Sequence, residues 1–170
     1  MQILVDADSC PREAREMILR FSSRLGIKAI FAANRLIPGI QKIPGIEQIP
    51  GIPENSSNAQ MEICPPGEGS SDDRIVVLSK AGDLVVTRDL PLAERLVNAG
   101  ITVLDDRGRV FTEENIRQLR SLRDFSVNLA ESGLGTERIA SYGKKELDAF
   151  AKSLDRELSR LLRRTHSASG

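Results

Sequence analysis

The sequence predicts an α/β fold in which helices flank a mainly parallel central sheet. Four short runs are almost entirely apolar, which is typical of strands buried on both faces, and they occupy residues 3–5, 29–32, 84–87 and 101–104. Between and after these runs, apolar residues recur at steps of three and four, which indicates helices. Strands that alternate with helices favour βαβ units, and such units place their strands in parallel.

The helices are predicted from their apolar period and their terminal residues. Pro11 suits a first helical turn, and the apolar residues after it follow the helical period: Ala14, Met17, Ile18, Phe21 and Leu25. A helix over 92–97 ends before Gly100, a residue that favours a helix C-terminus. Two longer helices are expected at about 113–131, with Thr112 as N-cap, and at about 144–164. A shorter one at 74–80 is expected to lead into the strand at 84.

A Pro/Gly-rich insertion at about 35–70 interrupts this alternation. Within it, Ile-Pro-Gly-Ile recurs with a period of six, beginning at Ile37, Ile43 and Ile49. Pro-Gly favours a type II turn, because proline fixes the first central residue and glycine accepts the positive φ of the second. We interpret the stretch as an inserted loop grown by short duplication, and the alternative is an ordered lip of stacked turns. One domain is therefore predicted over residues 1–164, with a flexible tail at 165–170.

Composition limits the chemistry that this domain can perform. The chain has 24 Lys+Arg and 24 Asp+Glu, yet residues 1–106 hold 11 basic and 15 acidic side chains and residues 107–170 hold 13 and 9. No apolar run approaches the roughly 20 residues of a transmembrane helix, and no signal peptide is recognisable. We therefore expect a cytoplasmic protein that has no contact with membranes.

Histidine and cysteine chemistry is not indicated. The single histidine, His166, lies in the Ser/Thr/Gly-rich tail, which argues against Ser-His-Asp and Cys-His catalysis. Cys10 and Cys64 form no CxxC pair, so neither a disulfide framework nor a zinc site is expected. Cys10 begins a predicted helix, where a thiol is activated, but it has no histidine to act as base and is interpreted as a packed residue. Any catalytic chemistry is therefore expected to depend on carboxylate side chains.

Aspartates follow the predicted strands where those strands end. Asp6 and Asp8 come at the end of the first strand, and they project from the same face if the strand persists. Asp89 follows the strand at 84, and Asp72 lies near the start of the helix that precedes it. Helix starts and the carboxyl ends of parallel strands meet at one edge of a sheet, where open α/β folds bind ligands. Asp83, which begins a strand, is expected at the opposite edge.

Carboxylates gathered in this way repel each other. Two of them about 4 Å apart repel by roughly 4 kcal/mol at an effective dielectric constant near 20, so some must stay protonated unless a cation neutralises them. Oxygen ligands with room for water suit Mg²⁺ or Mn²⁺ better than zinc. The alternative is that each aspartate simply stabilises a turn or a helix start. The convergence of Asp6, Asp8 and Asp89 on one edge favours a metal site.

Several motifs in order resemble those of the YaiI/YqxD family of bacterial proteins, from residue 2 to about 133 and more loosely beyond. They are Val-Asp-Ala-Asp-Ser-Cys-Pro at 5–11, Ala-Ala-Asn at 32–34, Ser-Asp-Asp-Arg-Ile-Val at 71–76, Ala-Gly-Asp-Leu-Val-Val-Thr-Arg-Asp-Leu-Pro-Leu-Ala at 81–93, Arg-Gly at 107–108 and Leu-Arg-Asp-Phe at 122–125. The family carries no established activity and is similar in fold to PIN-domain nucleases. The resemblance thus implies a three-layer PIN-like fold whose clustered acids hold one or two Mg²⁺ or Mn²⁺ ions.

The resemblance also implies roles for individual residues. Asp6, Asp72 and Asp89 match the catalytic acids of the PIN plan, and Asp8 joins them as a metal ligand. Arg88 and Arg107 are expected to contact substrate phosphate, although a surface salt bridge is the simpler role for either one. The only candidates for a last PIN acid are the adjacent residues at 105–106, and the Pro-Gly-Ile insertion departs from the family pattern.

A Mg²⁺- or Mn²⁺-dependent nuclease that hydrolyses RNA rather than DNA is therefore the predicted function. One alternative is a non-catalytic PIN-like scaffold that binds metal or RNA, and another is a haloacid-dehalogenase-like phosphatase, which also begins with Asp-x-Asp. Nucleic acid is an expected partner, because arginines line one side of the last helix at 156, 160, 163 and 164. A homodimer through the Pro-Gly-Ile insertion or the last helix is a further expectation.

Overall fold

The computed structural model describes residues 1–40, 58–67, 69–131 and 142–167, without the side chains of residues 124–131 and 166. Within these ranges the strands are β1 (Gln2–Asp6), β2 (Lys28–Ala33), β3 (Ala59–Ile63), β4 (Leu84–Val86) and β5 (Thr102–Leu104). The helices are α1 (Arg12–Leu25), α2 (Ser70–Leu78), α3 (Leu90–Asn98), α4 (Glu113–Glu131) and α5 (Lys144–Ser167). None of the described helices is both long enough and apolar enough to cross a bilayer.

The described strands form one sheet in the order β3-β2-β1-β4-β5. Each neighbouring pair is parallel, and an isolated antiparallel bridge joins Leu104 to Val110 in the turn after β5. The predicted α/β class with a mainly parallel sheet is confirmed. The carboxyl ends of all five strands consequently lie at one edge.

Helices cover both faces of the sheet. The side chains of Ile3 and Val5 in β1 join a core that contains residues of α1 and α5. Between them, Leu4 points to the other face and joins residues of α2, α3 and α4. This alternation follows from the period of two along a strand, and it explains why β1 is apolar at all three positions from Ile3 to Val5. The three layers are consistent with a PIN-like fold.

The strand β3 was not predicted, because it lies inside the Pro/Gly-rich insertion. Its sequence, Ala-Gln-Met-Glu-Ile, alternates apolar and polar residues, and Ala59 and Met61 are buried. The helix α2 also begins at Ser70 instead of residue 74, so the carboxyl end of the insertion is regular structure. The predicted insertion, at about 35–70, therefore contains a strand of the sheet.

Part of the first Pro-Gly-Ile unit is packed into the protein. Ile37 and Ile40 are buried and belong to the core shared with α1 and α5. Gly39 has a φ of 88°, the positive value that the second central residue of a type II turn requires. The second and third units, and with them a dimer contact through the insertion, lie outside the described residues.

The helix α5 buries the apolar stripe predicted from its spacing. Phe150, Leu154, Leu158 and Leu161 are all buried in the core that also contains Ile3 and Val5 of β1. The helix continues to Ser167, past the predicted end at 164, so the described part of the expected tail is helical. Residues 168–170 lie outside the described residues.

Gly108 permits close contact between the turn after β5 and α5. It has a φ of 89°, and a Cβ atom at this position would lie 2.5 Å from the carbonyl oxygen of Ala149. The hydroxyl of Ser153 donates a hydrogen bond of 2.7 Å to the carbonyl oxygen of Gly108. The amino-terminal half of α5 is therefore fixed near the carboxyl end of β5.

Candidate functional site

Asp6 is the last residue of β1 and lies at the carboxyl edge of the sheet. Its side chain is almost entirely buried, with 5% exposure. Oδ2 accepts hydrogen bonds from the hydroxyl groups of Ser9 at 2.6 Å and Thr87 at 3.0 Å. Both described donors bind the same oxygen, so Oδ1 keeps its lone pairs for another ligand.

Asp89 lies beside this pair at the start of α3. Its Oδ1 accepts a hydrogen bond of 2.7 Å from the backbone N–H of Leu92, as expected for an N-cap residue. Its own backbone N–H donates to the hydroxyl oxygen of Thr87 at 3.0 Å. Thr87 therefore connects Asp6 and Asp89 and fixes one relative to the other.

Asp72 occupies the first turn of α2 and completes a cluster of three carboxylates. Burial, followed by the negative charges of Asp6 and Asp89, raises the pKa of Asp72 from 3.8 to about 6, and Arg95 opposes the shift. These charges affect Asp72 because the end of β1, the start of α2 and the start of α3 meet at the same edge. The three aspartates predicted as catalytic thus influence each other electrostatically. Asp8 has no comparable effect on Asp72.

The geometry fits a metal ion only in part. The donors are carboxylate oxygens, which Mg²⁺ and Mn²⁺ prefer. Across the described residues, however, no group of three or more Asp, Glu, His or Cys side chains is arranged to hold an ion. The carboxylates of the cluster are near enough to repel but do not surround a common point, so an ion would have to draw them together.

Asp8 lies beyond the end of β1 and binds the chain after β2. Because β1 ends at Asp6, the alternation that would place both side chains on one face does not continue. Asp8 instead accepts a hydrogen bond of 3.0 Å from the backbone N–H of Asn34 and one of 3.2 Å from Nε of Arg35. Its carboxylate therefore stabilises the chain after β2, and the condition for a shared face with Asp6 is not met.

Asp106, one of the two candidates for a last PIN acid, is buried. Its Oδ1 accepts a hydrogen bond of 2.7 Å from Nε of Arg88, and the Tyr142 hydroxyl donates to its carbonyl oxygen at 3.0 Å. The other carboxylate oxygen, Oδ2, is buried and has no hydrogen-bond partner among the residues that the structure describes. Such an oxygen is costly to desolvate, and its position after β5 puts it at the same edge as the cluster.

The two arginines predicted to contact phosphate differ in their surroundings. The side chain of Arg88 is 40% exposed while it binds the buried carboxylate of Asp106. Arg107 donates its backbone N–H to Oδ1 of Asp105 at 2.9 Å, and Arg109 does the same at 2.7 Å. Asp105 thus shapes the turn after β5, and burial raises the pKa of its carboxyl group.

Cys10 is a packed residue, as interpreted from the sequence. Burial, followed by the charge of Asp106, raises the pKa of the Cys10 thiol to about 12. A thiol of this kind is a poor nucleophile near neutral pH. Arg15 of α1 donates hydrogen bonds to the carbonyl oxygens of Ala7 and Cys10 and so ties down the turn that carries Ser9.

Asp83 lies at the opposite edge, as the sequence predicts. Its carboxylate accepts hydrogen bonds from the backbone N–H groups of Gln2 at 2.9 Å and Lys80 at 3.0 Å. It joins the start of β1 to the turn before β4. This aspartate therefore has a structural role away from the cluster.

Comparison with known proteins gives one consistent match. The model of a family described as "Uncharacterized BCR, YaiI/YqxD family" matches residues 4–160. A UPF0178 protein of Treponema pallidum is 42% identical over 163 residues, which cover 96% of this chain and 84% of the relative. No solved structure matches the chain.

Two more relatives extend this result to other bacteria. A UPF0178 protein of Treponema denticola is 39% identical over 98% of this chain and 97% of its own length. One of Myxococcus xanthus is 37% identical over 96% of this chain and 97% of its own length. The residues matched by the family model include Asp6, Asp72 and Asp89, and none of these descriptions records an activity.

Proposed function

The chain belongs to the YaiI/YqxD family, which is described as uncharacterised, so we propose its function from the carboxylate cluster. We propose that the protein is a divalent-metal-dependent nuclease that hydrolyses phosphodiester bonds, in RNA in preference to DNA. The observation that carries this proposal is the pKa of Asp72, raised to about 6 by burial and by Asp6 and Asp89. Burial and two neighbouring carboxylates disfavour the ionised form of Asp72, and a bound cation would remove this penalty.

The proposed ligands are Asp6, Asp72 and Asp89, with Mg²⁺ or Mn²⁺ as the ion. Asp6 has Oδ1 available because Ser9 and Thr87 both bind Oδ2. Such an ion would generate hydroxide and neutralise phosphate charge. The hydroxyl groups of Ser9 and Thr87 keep Asp6 oriented, and the buried, unpartnered Oδ2 of Asp106 supplies a fourth carboxylate at this edge. We assign Asp8 to loop stabilisation and not to the metal.

Arg88 is proposed to bind a non-bridging phosphate oxygen at the solvent side of the cluster. Its guanidinium group is partly exposed while Nε binds Asp106, so the remaining N–H groups of the planar fork can face a phosphate. Arg107 belongs to the adjacent turn and is proposed as a second phosphate contact. Both assignments depend on the nuclease proposal.

The phosphatase alternative is less well supported. It requires an acid two residues after the nucleophile that serves the same reaction centre. Asp8 has the right spacing, but its carboxylate binds Asn34 and Arg35. A fluoroberyllate adduct on Asp6 would nevertheless favour a phosphatase over a nuclease.

The scaffold alternative has one specific observation in its favour, since the described acids do not form a ready-made metal site. A non-catalytic protein would bind metal or RNA and leave both intact. Measuring both binding and cleavage with the same protein therefore distinguishes the scaffold hypothesis from the nuclease hypothesis.

The test combines Mn²⁺ binding by calorimetry with cleavage of an end-labelled RNA. We expect the wild-type protein to bind Mn²⁺ and cleave, and Asp6→Asn to lose both. Asp73→Asn is the matched control, because Asp73 is adjacent to Asp72 but exposed and paired with Arg95; it should behave as wild type. A folded wild-type protein that binds Mn²⁺ or RNA and never cleaves either RNA or DNA would overturn the nuclease in favour of the scaffold.

A further inference from the structure

The carboxyl-terminal half of α5 lies at the opposite edge of the sheet from the carboxylate cluster. Ala149, near the start of the helix, contacts Gly108 after the carboxyl end of β5. Further along α5, Nη2 of Arg160 donates a hydrogen bond of 3.3 Å to the hydroxyl oxygen of Thr102, the first residue of β5. The helix therefore runs antiparallel to β5, and its arginines are displaced from the cluster along the strand direction.

A groove separates this half of α5 from the start of α4. Its volume is about 920 Å³, and four arginines line it together with three glutamates: Arg117, Arg156, Arg160, Arg163, Glu113, Glu114 and Glu157. We call it the arginine groove. Glu157 is only 6% exposed and holds Nε of Arg156 at 3.0 Å and Nε of Arg160 at 2.8 Å. These bonds fix two guanidinium groups at the wall of the groove.

The positive charge increases toward the end of the helix. Arg160, Arg163 and Arg164 line an adjoining depression together with Ser167 and with no acidic residue. Within the part of the chain that the structure describes, neither Arg163 nor Arg164 forms a salt bridge. Planar guanidinium groups on a rigid helix suit phosphate better than a carboxylate-rich peptide, because each can bind two oxygens of one phosphate.

We propose that the arginine groove binds the phosphate backbone of a single-stranded nucleic acid, remote from the bond that is cleaved. This inference rests on the proposed nuclease function and narrows its substrate. Residues 149–163 of a helix span about 21 Å, which corresponds to roughly six phosphates of a stacked strand at 3.4 Å each. A substrate that reaches both the groove and the cluster therefore has about six nucleotides or more, which excludes mono- and dinucleotides as efficient substrates.

Binding is tested by fluorescence anisotropy in EDTA, with labelled oligouridylates of about 24 and about 4 nucleotides. The groove variant, Arg163→Ala/Arg164→Ala, removes two exposed charges, that of Arg163 in the groove and that of Arg164 in the adjoining depression. The control Arg20→Ala/Lys28→Ala removes two exposed charges that line neither depression. We expect the groove variant to bind the long strand about tenfold more weakly, with a salt slope smaller by about 1.4, whereas the control stays within about twofold of wild type.

The outcomes test the groove proposal and the nuclease proposal independently. Equal affinity of wild type and groove variant, equal losses in both variants, or tighter binding of oligoglutamate than of the long oligouridylate would each overturn the groove proposal. Cleavage of the short strand as fast as the long one would do the same while leaving the nuclease intact. Conversely, a groove-dependent affinity without any cleavage in Mn²⁺ would support the groove and overturn the nuclease.

Discussion

The hydroxyl of Thr87 donates a hydrogen bond of 3.0 Å to Oδ2 of Asp6, across the boundary between β4 and β1. Thr87 is 1% exposed, and its oxygen also accepts the backbone N–H of Asp89. One buried hydroxyl therefore positions two of the three carboxylates in the cluster.

Replacing Thr87 by valine keeps the shape of the side chain and removes this bridge. The substitution leaves the N–H of Asp89 without its partner and leaves Oδ2 of Asp6 with the Ser9 hydroxyl alone. We therefore expect Thr87→Val to lower the free energy of unfolding by about 2 kcal/mol. Urea denaturation measures the change. Thr87→Ser retains the hydroxyl and should lose less than half as much; equal losses in the two variants would assign the effect to packing.

The raised pKa of Asp72 makes stability depend on pH. Its carboxyl group binds a proton more tightly in the folded state, with a pKa of about 6 against 3.8. The free energy of unfolding should therefore decrease as the pH rises from about 4 to about 6, and this contribution should be constant above that range. Because Asp72 is partly exposed, we expect a change of no more than about 1 kcal/mol.

Comparison of wild type with Asp72→Asn isolates this effect from other titrating groups. The variant should be more stable than wild type at pH 7 and not at pH 4, as measured by urea denaturation at both values. Asp73→Asn on the same helix should show no such dependence. A constant difference between wild type and Asp72→Asn at both pH values would contradict the raised pKa.

Much of the architecture is predictable because burial on both faces leaves a continuous apolar run. The runs at 3–5 and 84–87 are apolar for this reason, and the sheet brings their carboxyl ends together. The strand β3 has no continuous apolar run, because Gln60 and Glu62 alternate with its apolar residues. Prolines also lie on both sides of it in the sequence. Its pairing with β2 is a tertiary contact that no local pattern records.

The position of the candidate site is predictable because the order of strands and helices predicts which residues lie at the carboxyl edge of the sheet. Asp6, Asp72 and Asp89 were expected at this edge from the topology alone. The surroundings of Asp8 were not predictable, because they depend on where β1 ends. Asp8 lies beyond the end of the strand and accepts a hydrogen bond from the backbone N–H of Asn34. The hydrogen bond between Arg88 and Asp106 was not predictable either, because the sequence does not show in which direction these side chains point.

The pair formed by Arg88 and Asp106 should be energetically coupled. Asp106 is buried and Arg88 is its described donor, so removing Arg88 leaves an uncompensated carboxylate. A double-mutant cycle with Arg88→Met and Asp106→Asn should give a coupling energy of about 1–2 kcal/mol in urea denaturation. The exposed pair Arg12 and Glu16 is the control, for which we expect about 0.3–0.5 kcal/mol. Equal coupling in the two cycles would show that burial of Asp106 contributes nothing.

Gly108 should tolerate no side chain. In Gly108→Ala the new methyl group would lie 2.5 Å from the carbonyl oxygen of Ala149, so α5 must move or the turn must distort. We expect a loss of at least about 3 kcal/mol in the free energy of unfolding.

Gly100→Ala serves as the control for backbone strain alone. Gly100 also has a positive φ, 75°, but open space around the position of a Cβ atom, and its loss should be about 1 kcal/mol. Similar losses at the two glycines, measured by urea denaturation, would show that the contact with α5 is unimportant.

The position of α5 also affects how the protein is made. This helix of 24 residues supplies Phe150, Leu154, Leu158 and Leu161 to a core whose other buried members all precede it in the chain, from Ile3 to Leu104. At the usual speed of a ribosome, its synthesis takes roughly one to five seconds. Until α5 has been made, this core lacks those four side chains, and the apolar residues that they cover stay accessible to water and to chaperones.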